Sequence, residues 1–304
     1  MKKLFICGIG SLLGSKLIDI LKTKYELCGS YNLRNPCFNF VDSYQLDVNN
    51  YEQLQKIIFE LKPDIIINTV ALNNVDYCEN HVCDANNVNY KAVSVLSDIS
   101  NKLGNKLVHL STDSVFDGQK ETPYKEIDVP NPINNYGKSK LAGEKSVLAF
   151  KNNLVIRASV LYGWLPKQLV NTKTSSLKQY NFAQWLITQL IENKDVKIVN
   201  DEYSTPIIAE DLARSILHLV ENDFSGLFHS APVETINRYD FSVKLANFLN
   251  LDISLISPTT IKNLGRNVPT SKNKCLDSKK IRNTNFKFLS FEKSFEILRD
   301  QIDV

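Results

Sequence analysis

Tyr136 and Lys140, in "INNYGKSKLAGEK" (133–145), stand four residues apart, and side chains at that spacing share one face of a helix. A phenol holds its proton too tightly for most work near neutrality. An ammonium group beside it, helped by the positive end of the helix, is expected to lower its pKa and make Tyr136 a usable proton donor. Upstream, "KLVHLSTDSVFDG" reads as an apolar strand ending in Ser111, Thr112 and Asp113, and hydroxyls at the carboxyl end of a parallel strand face a ligand crevice. Reducing a ketone takes a hydride on carbon and a proton on oxygen. Thr112 would orient that oxygen and Tyr136 would protonate it.

A hydride donor needs a seat, and "CGIGSLLG" offers one between the first strand and the first helix. Without side chains, Gly8, Gly10 and Gly14 let the backbone approach a pyrophosphate while amides at the helix start point at the anion. Gly8 and Gly14 match the ends of a G-x-x-G-x-x-G turn, and Ser11 stands where its middle glycine belongs. After the second strand, "GSYNLRN" carries Ser30 and Arg34 but no acid. A hydroxyl and a guanidinium suit a 2′-phosphate, so NADP (NADPH) is favoured, with NAD possible.

Elements must hold these groups. Through the first half, short Ile- and Val-rich runs ("KLFICG", "YELCGSY", "DIIINTVA", "KLVHLSTD", "NLVIRAS") alternate with helical patterns ("LGSKLIDILK", "YEQLQKIIFEL", "NYKAVSVLSDISNKLG", "SKLAGEKSVLAF"). That alternation predicts an α/β fold, a Rossmann doubly wound parallel sheet covered on both faces. After about residue 160 the rhythm changes: helices are expected near 178–194, 209–222 and 239–250, with short strands "KIV" and "GLFHS" and a turn-rich stretch at 257–275. Residues 1–160 are expected to form the nucleotide-binding domain carrying the reactive groups. Residues 161–304 are expected to form mostly a smaller substrate-binding lobe, with some segments returning to the first domain.

Composition sets outer limits. Among 304 residues, 36 basic and 33 acidic side chains leave a net charge of +3 with scattered lysines, which argues against nucleic acid as a partner. Cys7, Cys28, Cys37, Cys78, Cys83 and Cys275 contain no CxxC pair and read as free thiols of a reducing cytoplasm. The start, "MKKLFICGIGSLLGSKLIDIL", has the lysines of a signal peptide, but glycines break its apolar run; strand, turn and helix explain it better. No stretch approaches the roughly 18 apolar residues of a membrane span. His81, His109, His218 and His229 lack ligand spacing, so no metal site is expected, and His109 reads as a buried, hydrogen-bonded core residue. Trp164 and Trp185 lie where the ligand cleft should border the second lobe, with stacking on a base or core packing both open.

Over nearly its whole length the chain resembles the extended short-chain dehydrogenase/reductases, specifically the dTDP-4-dehydrorhamnose reductase group. The resemblance lies in "KPDIIINTVALNNVDYCE", "LVHLSTDSVFDG", "PYKEIDVPNPINNYGKSKLAGE", "LVIRASVLYG", "STPIIAEDLA" and "GRNVPTSKNKCLDSKKI". It implies a catalytic triad of Thr112, Tyr136 and Lys140, the lysine also holding the nicotinamide ribose. It implies cofactor contacts at Gly8, Ser11, Leu12 and Leu13, at Asp47 and Val48 beside the adenine, and at Val70, Ala71 and Leu72 after the third strand read above. Asp113 and Ser114 fall at the implied sugar pocket, and Arg266 and Lys272 where the family's carboxyl-terminal lobe approaches a diphosphate. The implied reaction is NADPH-dependent reduction of the 4-keto group of a dTDP- or UDP-linked 6-deoxy-4-ketohexose, in deoxysugar biosynthesis. Homodimers through the Y-x-x-x-K helix are common among such proteins. The chain departs from the family at Ser11, at Ser114 where S-T-D-Y is frequent, and at Val160 where an aromatic residue is frequent. Other readings are a nucleotide-sugar epimerase, a 4,6-dehydratase, which would need an acid where Ser114 stands, and a non-catalytic NADP-binding regulator resembling the methionine adenosyltransferase beta subunit.

Overall fold

Strands with apolar residues at every position are stable only between two covered faces, and the computed structural model shows that solution. It describes residues 1–169, 172, 177, 180–265 and 268–302. Seven parallel strands form the central sheet: β1 (Lys3–Cys7), β2 (Glu26–Tyr31), β3 (Asp42–Gln45), β4 (Ile65–Asn68), β5 (Lys106–Thr112), β6 (Leu154–Ala158) and β7 (Gly226–Ser230), in the order 7-6-5-4-1-2-3. Successive side chains in a strand point to opposite faces. Leu4 and Ile6, Ile65 and Ile67, and Leu154 and Ile156 therefore enter one core, while Phe5, Ile66, Leu107 and Val155 enter the other.

Helix α1 (Leu12–Leu21) covers the first face together with α5 (Ala209–Glu221). The second face is covered by α2 (Tyr51–Leu61), α3 (Ala92–Leu103) and the end of α4 (Asn135–Leu148). Strand order reverses between β1 and β4, and the carboxyl ends there mark the crevice where doubly wound sheets take ligands.

A separate core lies in the second half of the chain. Phe241 packs its ring 5.2 Å from Tyr162 and 5.7 Å from both Phe291 and Phe295. Helices Phe182–Ile191, Arg238–Phe248 and Phe291–Arg299 surround a parallel pair, Val196–Val199 with Ile256–Thr259. The "GLFHS" strand is β7 of the central sheet, beside β6. β3 was not apparent in the sequence pattern: "DSYQ" is a polar, largely exposed edge strand with no apolar alternation. Among the described residues no helix is long and apolar enough to cross a membrane.

Candidate active site

The glycine turn is held from below by the sheet. Amides of Gly8 and Ile9 both donate to Ser30 O at 2.9 Å. Gly8 has φ +93°, and added Cβ atoms would stand 2.7 Å from Thr69 Oγ1 at Gly8, 2.3 Å from Arg34 O at Gly10 and 2.2 Å from Gly8 O at Gly14. The turn's own packing thus demands these glycines. Ser11 caps α1, accepting from Gly14 N at 2.9 Å, with its hydroxyl 3.2 Å from Thr69 Oγ1. The serine in place of the middle glycine is therefore a helix cap, with Leu12 and Leu13 at the head of the helix.

Ser30 reaches this turn only through its carbonyl, because its side chain is buried against Cys7. Arg34 is half-buried, and burial lowers its pKa. Its Nε is enclosed and has no hydrogen-bond partner, an exceptional state for a buried donor. Asp47 is exposed and accepts from Asn49 N at 2.9 Å, while Val48 is buried. Arg266 lies outside the described residues.

At the carboxyl end of β5 a second group assembles. Asn134 caps α4 by accepting from Gly137 N at 2.9 Å. A Cβ on Gly137 would stand 2.1 Å from Ser114 O, so its absence lets the head of α4 press against the turn after β5. That approach sets Tyr136 beside Thr112, which holds the phenol's pKa down against burial. Thr112 Oγ1 donates to Asp113 Oδ1 at 3.0 Å and accepts from Ser114 N at 3.1 Å. Asp113 also accepts from Ser114 Oγ at 3.2 Å and Ser159 Oγ at 2.8 Å. Burial raises its pKa against these bonds and the charge of Lys274.

The expected acidification of Tyr136 by Lys140 is not found. Burial pushes the phenol above its ordinary value, Asp113 and Cys78 add to the rise, and the Thr112 hydroxyl opposes it. Lys140 is turned away: its Nζ donates to Leu110 O at 2.6 Å and lies 3.3 Å from His109 Nε2. Burial brings the lysine down to about 8, with Glu144 opposing. An enclosed ammonium needs acceptors at once, and here the strand backbone supplies one.

One contributor gave no motif to read. Asn89, fully buried in a π-helical turn (Asn87–Lys91), accepts from Leu72 N at 2.8 Å and donates to Leu72 O at 3.0 Å and Ser139 Oγ at 3.1 Å. It thereby ties the Val70–Ala71–Leu72 loop to α4. Residues 268–277 return along the cleft: Asn134 Nδ2 donates to Pro269 O at 3.2 Å, Ser271 Oγ to Phe116 O at 3.0 Å and Lys274 Nζ to Glu202 Oε1 at 2.6 Å. Lys272 is exposed. Trp164 packs against the second core, and Trp185 is partly exposed with its ring 5.9 Å from Phe182. Among the described residues no three His, Cys, Asp or Glu side chains gather as metal ligands.

A glycine turn after β1, with Tyr136 and Lys140 heading a helix beside Thr112, defines the class: an extended short-chain dehydrogenase/reductase on a Rossmann sheet. The profile described as RmlD substrate binding domain matches residues 1–302, and the chain belongs to that family. It is 32% identical over 275 residues to the probable low-salt glycan biosynthesis reductase Agl14 of Haloferax volcanii, covering 90% of this chain and 89% of that one. It is 31% identical to methionine adenosyltransferase 2 subunit beta of Bos taurus, over 85% of this chain and 75% of that one. The crystal structure of dTDP-4-dehydrorhamnose reductase from Bacillus anthracis in complex with NADP superposes with a TM-score of 0.85, 25% identity and 99% coverage of both chains.

Proposed function

We propose that this protein reduces the 4-keto group of a nucleotide-linked 6-deoxy-4-ketohexose with NADPH. The observation that carries the reading is the Tyr136–Thr112 contact at the carboxyl end of β5, one helical turn from Lys140. Family membership and the reductases among the relatives support it. When bound, NADPH supplies the hydride that reduces the sugar carbonyl. Leu12 and Leu13 offer amides at the helix start to its diphosphate, beside Gly8, Gly10 and the Ser11 cap. The unpartnered Arg34 Nε fits the 2′-phosphate, with Asp47 and Val48 near the adenine and Val70, Ala71 and Leu72 along the nicotinamide half. Ser30 acts through its carbonyl, which fixes the turn.

Tyr136 donates its proton to the developing alkoxide. A phenol held above its ordinary pKa keeps that proton until the alkoxide, a stronger base, has formed. Thr112 orients the same oxygen, and Lys140 holds the ribose. Asp113 and Ser114 line the sugar side, Arg266 attracts the diphosphate, and most of residues 161–304 form the lobe over the sugar nucleotide, with α5 and β7 returning to the sheet. The four buried free thiols, Cys7, Cys28, Cys78 and Cys275, suit a reducing cytoplasm.

The test is to mix the protein with NADPH and dTDP- or UDP-linked 4-keto-6-deoxysugars and follow the reduced nicotinamide by absorbance. Oxidation well above a Tyr136→Phe control is expected. Likeness to the beta subunit from Bos taurus favours one second reading, a regulator. NADP binding with no oxidation above that control would select it.

A further inference from the structure

Behind Lys140 lies a buried chain of polar side chains that the reductase reading does not use. Asn68 Oδ1 accepts from Val70 N at 3.1 Å, and its Nδ2 lies 3.2 Å from His109 Nδ1. His109 Nε2 in turn lies 3.3 Å from Lys140 Nζ, which donates to Leu110 O at 2.6 Å. Asn68, His109 and Lys140 are all 3% exposed or less, so bulk solvent does not reach the chain.

The donor and acceptor inventory decides the protons. The Val70 amide can only donate, so it must face the Asn68 oxygen. Asn68 Nδ2 then donates, and His109 Nδ1 must accept. A neutral imidazole accepting at Nδ1 carries its hydrogen on Nε2, aimed at Lys140 Nζ. An ammonium has three donors and no acceptor, whereas a free amine has one lone pair to receive that hydrogen. With Leu110 O taking one N–H, only the amine completes the chain without opposing donors.

We infer that His109 is a positioning residue: held by Asn68 with its hydrogen on Nε2, it donates to Lys140 Nζ and favours the lysine as a free amine. Protonating Nζ then forces a choice. Either the His109 contact opens, or the imidazole hydrogen moves to Nδ1, Asn68 turns over and the Val70 amide loses its acceptor. Lysine charge and the shape of the turn after β4 are thereby coupled.

Other ionisable groups do not account for this. On its own helix the lysine has Glu144, whose carboxylate raises its pKa and is committed to Arg157 of β6, and Tyr136, a neutral phenol beside Asp113. From β5 it faces only His109, which burial and the lysine hold well below its ordinary value. Strand β4 presents the uncharged Asn68.

The consequence for catalysis rests on the reductase reading; the network does not. The test uses the cofactor-free protein. Long-range ¹H–¹⁵N spectra of ¹⁵N-histidine-labelled protein, assigned with His109→Gln, should show His109 hydrogen-bearing at Nε2 alone once the pH is above about 8, where Lys140 has shed its proton. In ¹³C-lysine-labelled protein, assigned with Lys140→Met, Lys140 should titrate about one pH unit higher in His109→Gln, whose amide oxygen can turn to an ammonium. Asn68→Asp should raise it as well with His109 intact, because a carboxylate draws the imidazole hydrogen to Nδ1. Hydrogen on Nδ1 in the wild type at that pH, an imidazolium, or a lysine titration unmoved in both variants overturns the inference. The wild-type tautomer decides alone if a variant does not fold. With NADPH and sugar nucleotide, the alkaline limb of kcat/KM should move upward in His109→Gln; wild type without turnover would count against the reductase reading and leave the tautomer result standing.

Discussion

At Tyr136 and Lys140, burial works on both groups in opposite senses: it raises the phenol and lowers the ammonium. Neither carries charge cheaply, so the Tyr136–Thr112 pair keeps a proton ready for an oxygen that becomes basic only during reaction. Tyr136→Phe should lower kcat with NADPH and sugar nucleotide by roughly 10²–10⁴-fold. NADPH affinity, read by calorimetry, should hardly change. For Lys140, the folded state sheds its proton near 8 and the unfolded chain near 10.5. Below about 8 both states are protonated and the burial penalty is fully present; between the two values the unfolded chain binds more protons, so stability rises with pH. Lys140→Met should therefore be more stable than wild type at pH 7, by up to about 3 kcal/mol. That gain should shrink towards pH 10 in urea titrations, while activity is lost throughout.

At the level of elements, helix heads do the placing. α1 is brought under the glycine turn because Gly14 has no Cβ, and α4 meets the turn after β5 because Gly137 has none. Gly14→Ala should push α1 off the sheet and weaken NADPH binding at least tenfold, with a drop in thermal midpoint. Farther along α4, Glu144 receives Arg157 Nε at 2.8 Å and Nη2 at 2.7 Å, both residues almost fully buried. This pair pins α4 to β6. Glu144→Ala should destabilise by about 3–5 kcal/mol because a buried guanidinium is left alone. Replacing both residues together by Met and Leu should restore much of that loss, and urea midpoints of the single and double variants check it.

Across the whole molecule, the two halves are joined by segments that serve both cores. Adjacent residues divide the work: Ile207 packs in the sheet core and Ile208 in the second core, immediately before α5. Residues 268–277 add backbone bonds, Tyr124 N to Cys275 O at 2.8 Å and Tyr203 N to Lys272 O at 2.7 Å. Far-ultraviolet circular dichroism and the fluorescence of Trp164 and Trp185 should report one coincident unfolding transition. NADPH at a hundred times its Kd should stabilise that transition by about 2.7 kcal/mol, seen as a raised midpoint. Non-coincident transitions, with only the first shifted by NADPH, would show that the halves unfold separately.

Local pattern carried much of this. Short Ile- and Val-rich runs alone marked β1, β4, β5 and β6, whose residues alternate between two cores, and residue spacing alone marked the glycine turn and the Tyr136–Lys140 face. Such features depend on a few consecutive residues, so no folded partner is needed to read them. The polar edge β3 and the π turn that points Asn89 at Leu72 escaped that reading because their neighbours lie outside their own stretch of chain; the Ser11 cap is local, bonded to Gly14, but in the sequence it reads only as a departure from the glycine pattern. Lys140 shows the limit best. Its place on the helix follows from the sequence, but its orientation towards Leu110 and His109 follows from burial, since desolvation is set by every segment that closes over a charge.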